Sequence, residues 1–326
     1  MKNYWKNRKV LVTGHEGFLG SWLVKTLLER KAIVVGLDKI AGRPIIVLNG
    51  LRNSISSVKA DVAQLGSMKK IFLAYRPEVV FHLAAEAIVD KAKENARLTF
   101  KSNIEGTWNI LEAALECGGV KSIVIASSDK AYGSHPHLPY AEDYPLMGRN
   151  PYDVSKSCAD LIAYSYWHTY KLPVAVTRCG NIYGPGEYNF SRIVPDTIRS
   201  ILKQKTLLIR SDGTFTRDYV HVRDIVAGYM LLAEKMKPLK LGGEAFNFSC
   251  ERPMSVIEVV EKLCRLTDKK LKYKILNRAK YEIQHQFLSS KKARKVLGWK
   301  PQHSIENGFL DTYQWYKEFF SIGKLI

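Results

Sequence analysis

A parallel, doubly wound α/β sheet joined to a smaller mixed α/β lobe is the fold that three features of this sequence predict. Short apolar runs alternate with helical periods over roughly the first half of the chain. The first run ends in a glycine-rich turn that opens a helix, and the second ends in an acid. After Arg178 this rhythm breaks into loops and short mixed elements. Strands that alternate with helices require crossover connections, which give parallel sheets covered on both faces.

Val10, Leu11 and Val12 form the first run, followed by Thr13, Gly14, His15, Glu16, Gly17, Phe18, Leu19 and Gly20; Leu19, Leu23, Leu27 and Leu28 then share one helix face. The glycines fall in a GxxGxxG spacing. Strand, turn and helix in this order suit close backbone approach to a pyrophosphate, with the helix N-terminus offering free N–H groups. A second strand, Ile33 to Leu37, ends in Asp38. An acid there suits the ribose hydroxyls of a dinucleotide and disfavours a 2′-phosphate, so NAD is expected over NADP. Lys39 and Arg43 nearby leave the second cofactor open. His15 is read equally as a neighbour of cofactor phosphate or as part of a backbone-only turn.

A third strand, Ser57 to Asp61, ends in that acid and is followed by Val62. A helix from Ser67 to Tyr75 precedes a fourth strand, Val79 to Ala85, whose small residues at the end would let a cofactor lie close. Asp61, Val62, Leu83, Ala84 and Ala85 are cofactor-binding candidates, with Asn103 in the long helical stretch from Asn95 to Cys117. His82, inside an apolar run, is read as a hydrogen-bonded core histidine. The fifth strand, Ile123 to Ala126, ends in Ser127, Ser128, Asp129 and Lys130. A helix from Pro151 to Tyr170, with Asn150 as its N-cap, carries Tyr152 and Lys156; a sixth strand, Val174 to Arg178, follows.

Beyond Arg178, residues Gly180 to Gly186 read as loop, Arg192 to Lys203 as helix, and Thr216 to Val222 as a segment that rejoins the sheet before a helix after Asp224. A short strand (Ala245 to Phe248) and helices from Val256 to Leu266 and Ile305 to Phe320 complete the pattern. The expected division is a Rossmann-type, NAD-binding domain over residues 1–180, with 214–238 rejoining it, and a substrate-binding lobe from 181–213 and 239–326.

Tyr152 and Lys156 lie four apart and share a helix face. A phenol needs help to lose its proton near neutrality, and a nearby ammonium supplies it. Ser128 at the neighbouring strand end is placed to hydrogen-bond the same substrate hydroxyl. Ser, Tyr and Lys so arranged are the catalytic set of a hydride transfer, with Tyr152 and Lys156 also touching the cofactor.

The 326 residues carry a net charge of +19, with the basic residues spread along the chain rather than gathered in an arm. This argues for a polyanionic small substrate rather than nucleic acid. No apolar run reaches the roughly 20 residues that span a bilayer. Five scattered cysteines without a CxxC pair point to a reducing, cytoplasmic setting, with neither disulfides nor a metal site.

The TGxxGxxG turn, the YxxxK pair and the RDYVHVRD segment, in that order, resemble the extended short-chain dehydrogenase/reductases, specifically their nucleotide-sugar dehydratases and epimerases. The similarity runs from Trp5 to the segment Leu297–Pro301. Four places resemble the CDP-glucose 4,6-dehydratase branch: Thr13 to Leu23, Ser128 to Tyr132, Gly180 and Asn181 with Arg192 to Asp196, and Gln286 to Leu288 leading into Lys292 and Ala293. Thr216 to Val220 is closer to the dTDP-glucose dehydratase and epimerase form, and the chain is short for a CDP-glucose enzyme. The resemblance implies oxidation at C4, elimination of water across C5 and C6, and hydride return to C6, giving a 4-keto-6-deoxy sugar nucleotide. It makes Asp129 the acid and the next position, Lys130, the base. Lysine suits that part only with a depressed pKa, so Lys130 is read either as the base or as a group that orients the C6 hydroxyl. The pyrophosphate of a nucleotide sugar calls for Arg192 and Arg217, with Asn181 as a donor. A 4-epimerase or decarboxylase is the alternative, and a non-catalytic NAD-binding scaffold a distant one. The resemblance further implies a homodimer built as a four-helix bundle from the two long helices, to which Trp108, Leu161, Ile162 and Tyr166 are candidate contributors.

Overall fold

The computed structural model describes residues 4–40, 42, 50–279 and 282–322. Its first half is the alternation expected: β1 (Lys9–Thr13), α1 (Phe18–Glu29), β2 (Ile33–Asp38), β3 (Ser56–Lys59), α2 (Leu65–Tyr75) and β4 (Val79–His82). Next come α3 (Val89–Glu94), α4 (Ala96–Phe100), α5 (Gly106–Cys117), β5 (Ser122–Ala126), α6 (Pro151–Tyr170) and β6 (Val174–Cys179). The second half holds β7 (Asn181–Tyr183), α7 (Ile193–Leu202), β8 (Leu207–Ile209), β9 (Thr216–Arg217), β10 (Tyr219–His221) and α8 (Val222–Lys235). It closes with β11 (Ala245–Phe248), β12 (Met254–Ser255), α9 (Val256–Thr267), β13 (Tyr273–Ile275), β14 (His285–Gln286) and α10 (Ile305–Ile322).

Seven strands form the central sheet in the order β11-β6-β5-β4-β1-β2-β3, and every pairing is parallel. Successive side chains of each apolar run point to opposite faces, and both faces are buried. Val10 and Val12 join the cluster on the α1 and α8 side, whereas Leu11 joins the cluster on the α2, α5 and α6 side. Strand order reverses between β1 and β4. A crevice opens at such a switch point, outside the carboxyl ends of the strands.

Two expectations about the second half need correction. Thr216 to Val222 do not rejoin the central sheet: β10 pairs with β7 in a separate ribbon, and β9 lies between β12 and β14. The stretch from Gly180 is therefore not all loop. The seventh strand of the central sheet is β11, paired beside β6 with Ala245 opposite Val176. What returns to the sheet from this region is α8, whose buried face joins the β1 and β4 side of the core. Gly228 permits that approach, because a Cβ there would lie 2.6 Å from the Phe248 ring. The aromatic cluster of Tyr183, Tyr219, Phe309 and Tyr316 forms a separate core between α7, α9 and α10.

Candidate functional site

At the switch point the β1–α1 turn packs directly onto the end of β4. Gly14 has φ +73°, and a Cβ there would lie 2.9 Å from the Ala84 nitrogen; at Gly20 it would lie 2.1 Å from the Gly14 carbonyl. Only glycine allows this geometry. The turn hands over to α1 at Gly17 with no side-chain cap, so the helix N-terminus keeps its N–H groups for another acceptor. Thr13 Oγ1 accepts from the Leu83 and Ala84 amides, each at 3.1 Å, which fixes the β4 loop against the turn. Asp38 accepts from the Glu16 amide at 3.2 Å and the Ile40 amide at 3.1 Å, at the carboxyl end of β2. Uncapped helix, glycine cradle and acid together fit a dinucleotide. Arg43 lies outside the described residues.

His82 is the core histidine expected. Its Nδ1 lies 2.8 Å from Thr13 Oγ1 and its Nε2 lies 3.2 Å from Thr107 Oγ1, which itself donates to the Asn103 carbonyl. That chain of bonds fits the Nε2–H tautomer. Burial, with the Lys156 charge, pushes His82 down to about 3. A depressed pKa means that the unfolded state binds the extra proton first. Stability should therefore fall with pH between about 6.5 and about 3, by about 1.4 kcal/mol per unit. Thermal midpoints of the wild type and His82→Asn across that range check this, and the variant should show the shallower decline. His15 is also buried: its Nε2 lies 3.1 Å from Ser57 Oγ and its ring lies against Gly36.

The long helical stretch is broken. Between α4 and α5, residues Lys101–Glu105 form a π turn, and Asn103 sits within it. Its amide accepts from the Glu86 N–H at 2.7 Å and donates to the Glu86 carbonyl at 3.1 Å and Ser155 Oγ at 2.9 Å. Asn103 thus ties the β4 loop to α6. Asp61 accepts from the Ala63 amide at 3.0 Å. Val62 is buried against Gly106, and its carbonyl accepts from Asn109.

Ser128 follows β5, and its hydroxyl organises the short turn Asp129–Tyr132: it donates to Asp129 Oδ1 at 3.0 Å and accepts from the Lys130 amide at 3.2 Å. Ser128 is also among the groups that lower the pKa of the Tyr152 phenol. Pro151 stands in the first turn of α6, and Asn150 occupies the N-cap position without capping it, donating instead to Asp153 at 3.1 Å. Tyr152 and Lys156 share the helix face expected, with the amine 5.9 Å from the ring centroid. The amine itself donates to the Ala126 carbonyl at 2.6 Å. Burial dominates the phenol and pushes it up to about 12, opposed first by Arg192 and then by Ser128. Arg192 is the first of the groups that oppose this rise, and the Lys156 amine stands one helical turn from the phenol. Lys156 is pushed down to about 8 by burial, with Asp160 opposing.

Asp129 and Lys130 are displaced in opposite senses. Burial raises the Asp129 carboxyl, against the pull of Lys130, Ser128 and Arg217. Burial, reinforced by the Arg217 guanidinium, lowers the Lys130 amine. Both groups are driven toward their neutral forms, a proton donor beside a proton acceptor.

Lys130 opens onto a cavity of about 490 Å³ also lined by Asp153, Asn181, Arg192, Arg210 and Arg217. All three residues expected to hold a pyrophosphate thus meet in one place. Arg192 precedes α7 and lies 3.7 Å from Glu187. Arg217 is largely buried, donating to the Thr216 and Gln284 carbonyls and lying 3.6 Å from Glu282. Asn181 on β7 stands opposite Tyr219 of β10. Arg210 escaped the sequence reading: it donates to Asp90 at 2.5 Å and to the Ser191 carbonyl at 3.0 Å, bridging α3 and the β8 strand across the cavity. So did Glu16, held by the Arg52 guanidinium at 2.6 and 3.0 Å. An acid in a glycine-rich turn has no sequence signal for its partner 36 residues on.

Residues 11–312 match the family model described as GDP-mannose 4,6 dehydratase. The chain belongs to that family. Members and neighbours of known structure agree in their extent. A CDP-glucose 4,6-dehydratase of Salmonella typhimurium is 29% identical over 97% of this chain and 92% of its own. A UDP-glucuronate 4-epimerase of Thermodesulfobacterium geofontis is 35% identical over 97% and 98%. The crystal structure of a dTDP-glucose 4,6-dehydratase from Streptomyces venezuelae, with NAD bound, superposes with TM-score 0.87 at 28% identity, covering 96% and 98% of the two chains. The parallel sheet and its flanking helices are those of this family. No described helix is long and apolar enough to cross a membrane.

Proposed function

We propose that this family member is an NAD-dependent nucleotide-hexose 4,6-dehydratase that acts on a CDP-glucose-like substrate. The observation that carries the reading is the Asp129–Lys130 pair: a buried acid driven up, next to an amine that is driven down and lines the cavity with Asn181, Arg192 and Arg217. Bound NAD supplies the hydride acceptor for C4 and the donor for C6. The residues that hold it are Gly14, Gly17, Phe18, Leu19 and Gly20 at the pyrophosphate, Asp38 at the ribose, and Asp61, Val62, Leu83, Ala84 and Ala85 along the crevice, with Asn103 supporting the last three. Tyr152 takes the proton of the C4 hydroxyl, which Ser128 holds in place, and Lys156 stabilises the phenolate. The resulting C4 ketone acidifies the C5 proton. Lys130 takes that proton as the C6–O bond breaks, and Asp129 protonates the departing hydroxyl so that it leaves as water. Return of hydride to C6 and of a proton to C5 completes the 4-keto-6-deoxy sugar.

A lysine acts as base at neutral pH only when burial or a neighbouring cation depresses it, and both causes act on Lys130. A second reading is a UDP-glucuronate 4-epimerase, favoured by the 35% identity to such an enzyme over nearly its whole length. Epimerisation uses Ser128, Tyr152 and Lys156 but leaves Asp129 and Lys130 without work. Incubation with CDP-, dTDP-, GDP- and UDP-sugars, followed by NMR of the products, separates the two. A 4-keto-6-deoxy product is expected; a C4 epimer without deoxy sugar refutes the dehydratase.

The assembly we infer is a homodimer through α5 and α6. Trp108 and Leu161 are 43% and 61% exposed on these helices, beside a groove that Trp108, Ile162 and Tyr166 line together with Lys69, Glu112 and Glu116, and a second copy would cover these apolar side chains. Five free thiols fit a reducing compartment, the cytoplasm.

A further inference from the structure

Gln286 belongs to a motif that the mechanism above leaves unused. It stands on β14, directly opposite Arg217 of β9. Its side chain is fully buried, and its Nε2 donates to the main-chain carbonyl of Asp129 at 2.8 Å, across 157 positions of sequence. Its Oε1 is equally buried and has no hydrogen-bond partner among the described residues. A sealed, unpaired acceptor of this kind is destabilising. A methionine fills nearly the same volume without that cost, so packing does not explain an amide here. What the amide provides is a rigid tie from the Arg217 strand to the turn that carries the proton donor. Two further bonds run alongside it: the Tyr140 amide donates to the Phe287 carbonyl at 3.0 Å and the Ser289 amide to the Tyr140 carbonyl at 2.9 Å.

We infer that Gln286 is a positioning residue for the elimination step, coupling the Arg217 strand to the main chain of Asp129. This rests on the dehydratase reading. Arg217 lines the cavity, and Gln286 opposite it holds the Asp129 carbonyl, so a substrate pyrophosphate on Arg217 would be tied to the turn that carries the donor. Oxidation at C4 draws less on this tie, since Tyr152 and Lys156 are held from α6 and only Ser128 borders the Asp129 turn.

The test is Gln286→Met in the full-length, NAD-loaded protein. The thermal midpoint should stay within a few degrees of the wild type, because one hydrogen bond is lost while a buried unpaired oxygen is removed. Single-turnover appearance of reduced nicotinamide should stay within about twofold, whereas release of 4-keto-6-deoxy product should fall by about 10- to 100-fold, the scale set by an ångström of misplacement. Gln286→Leu should behave similarly, since it too presents no N–H to the Asp129 carbonyl and leaves no buried polar atom unpaired. If oxidation and elimination decline together, or neither declines, in a variant that keeps its midpoint, the positioning role is refuted. A wild type that yields only a C4 epimer refutes the dehydratase reading instead, and that outcome is read before any variant is made.

Discussion

Tyr152→Phe should lower turnover by about 10²–10⁴-fold, the usual range for a positioned acid–base group, with little change in thermal midpoint. The phenol is buried and pushed up to about 12, so the free protein holds it as a neutral hydroxyl. It can accept the C4 proton only after its own proton has left to solvent, and cations lower the cost of that phenolate. Arg192 is the first of these, and Lys156 sits one helical turn away, its amine 5.9 Å from the ring centroid. Phenylalanine keeps the ring and its packing and removes the one atom that receives the proton. What it leaves unpaired is modest: Ser128 Oγ retains its bonds to Asp129 and the Lys130 amide. Reduced nicotinamide should fail to appear in a single turnover, and deoxy product should fail with it. A variant that keeps wild-type oxidation removes Tyr152 from the mechanism.

Lys156 adds a pH dependence whose sign is fixed by its burial. Its pKa is about 8 in the fold and about 10.4 in an unfolded chain. Between these values the unfolded state holds more protons, so stability should rise with pH across that window. Oxidation should decline over the same range, because the amine loses the charge that favours the phenolate. Stability and turnover therefore move in opposite directions above pH 8, which a general loss of structure does not produce.

Much of this site was legible because its signals are local. The glycine turn is dictated by φ at Gly14 and by the contact between Gly14 and Gly20, six residues apart. Tyr152 and Lys156 are joined by helical periodicity, and Ser128 by its place after an apolar strand. Partner choice over long range was not legible. Ala245 to Phe248 read as a strand, but nothing local says that it pairs with β6 rather than with the segment around Tyr219. The π turn at Asn103 shifts the hydrogen-bond register without disturbing the apolar pattern that marks a helix. Periodicity put Lys156 beside Tyr152, yet could not show that its amine reaches for the Ala126 carbonyl. Arg210 and Gln286 are single polar residues whose partners lie 120 and 157 positions away.

The second large effect concerns the pair that separates a dehydratase from an epimerase. Asp129→Asn should abolish release of 4-keto-6-deoxy product, by about 10²-fold or more, while oxidation at C4 remains measurable. Asparagine keeps the shape and can still meet Ser128, but it has no proton to give to the departing hydroxyl. Lys130→Met should likewise stop elimination and, in addition, stop uptake of solvent deuterium at C5, which reports the base alone. Arg217→Gln tests the electrostatics behind both. Arg217 lowers the pKa of Lys130 and of Asp129, so its removal should raise both. The acid limb of the elimination profile follows protonation of Lys130, and the alkaline limb follows ionisation of Asp129. Both limbs should therefore move to higher pH in the variant, whatever happens to substrate affinity. An elimination profile that stays fixed while affinity falls would leave Arg217 as a phosphate ligand only. Solvent deuterium that still enters C5 in Lys130→Met would show that another group takes the C5 proton and that Lys130 only orients the C6 hydroxyl.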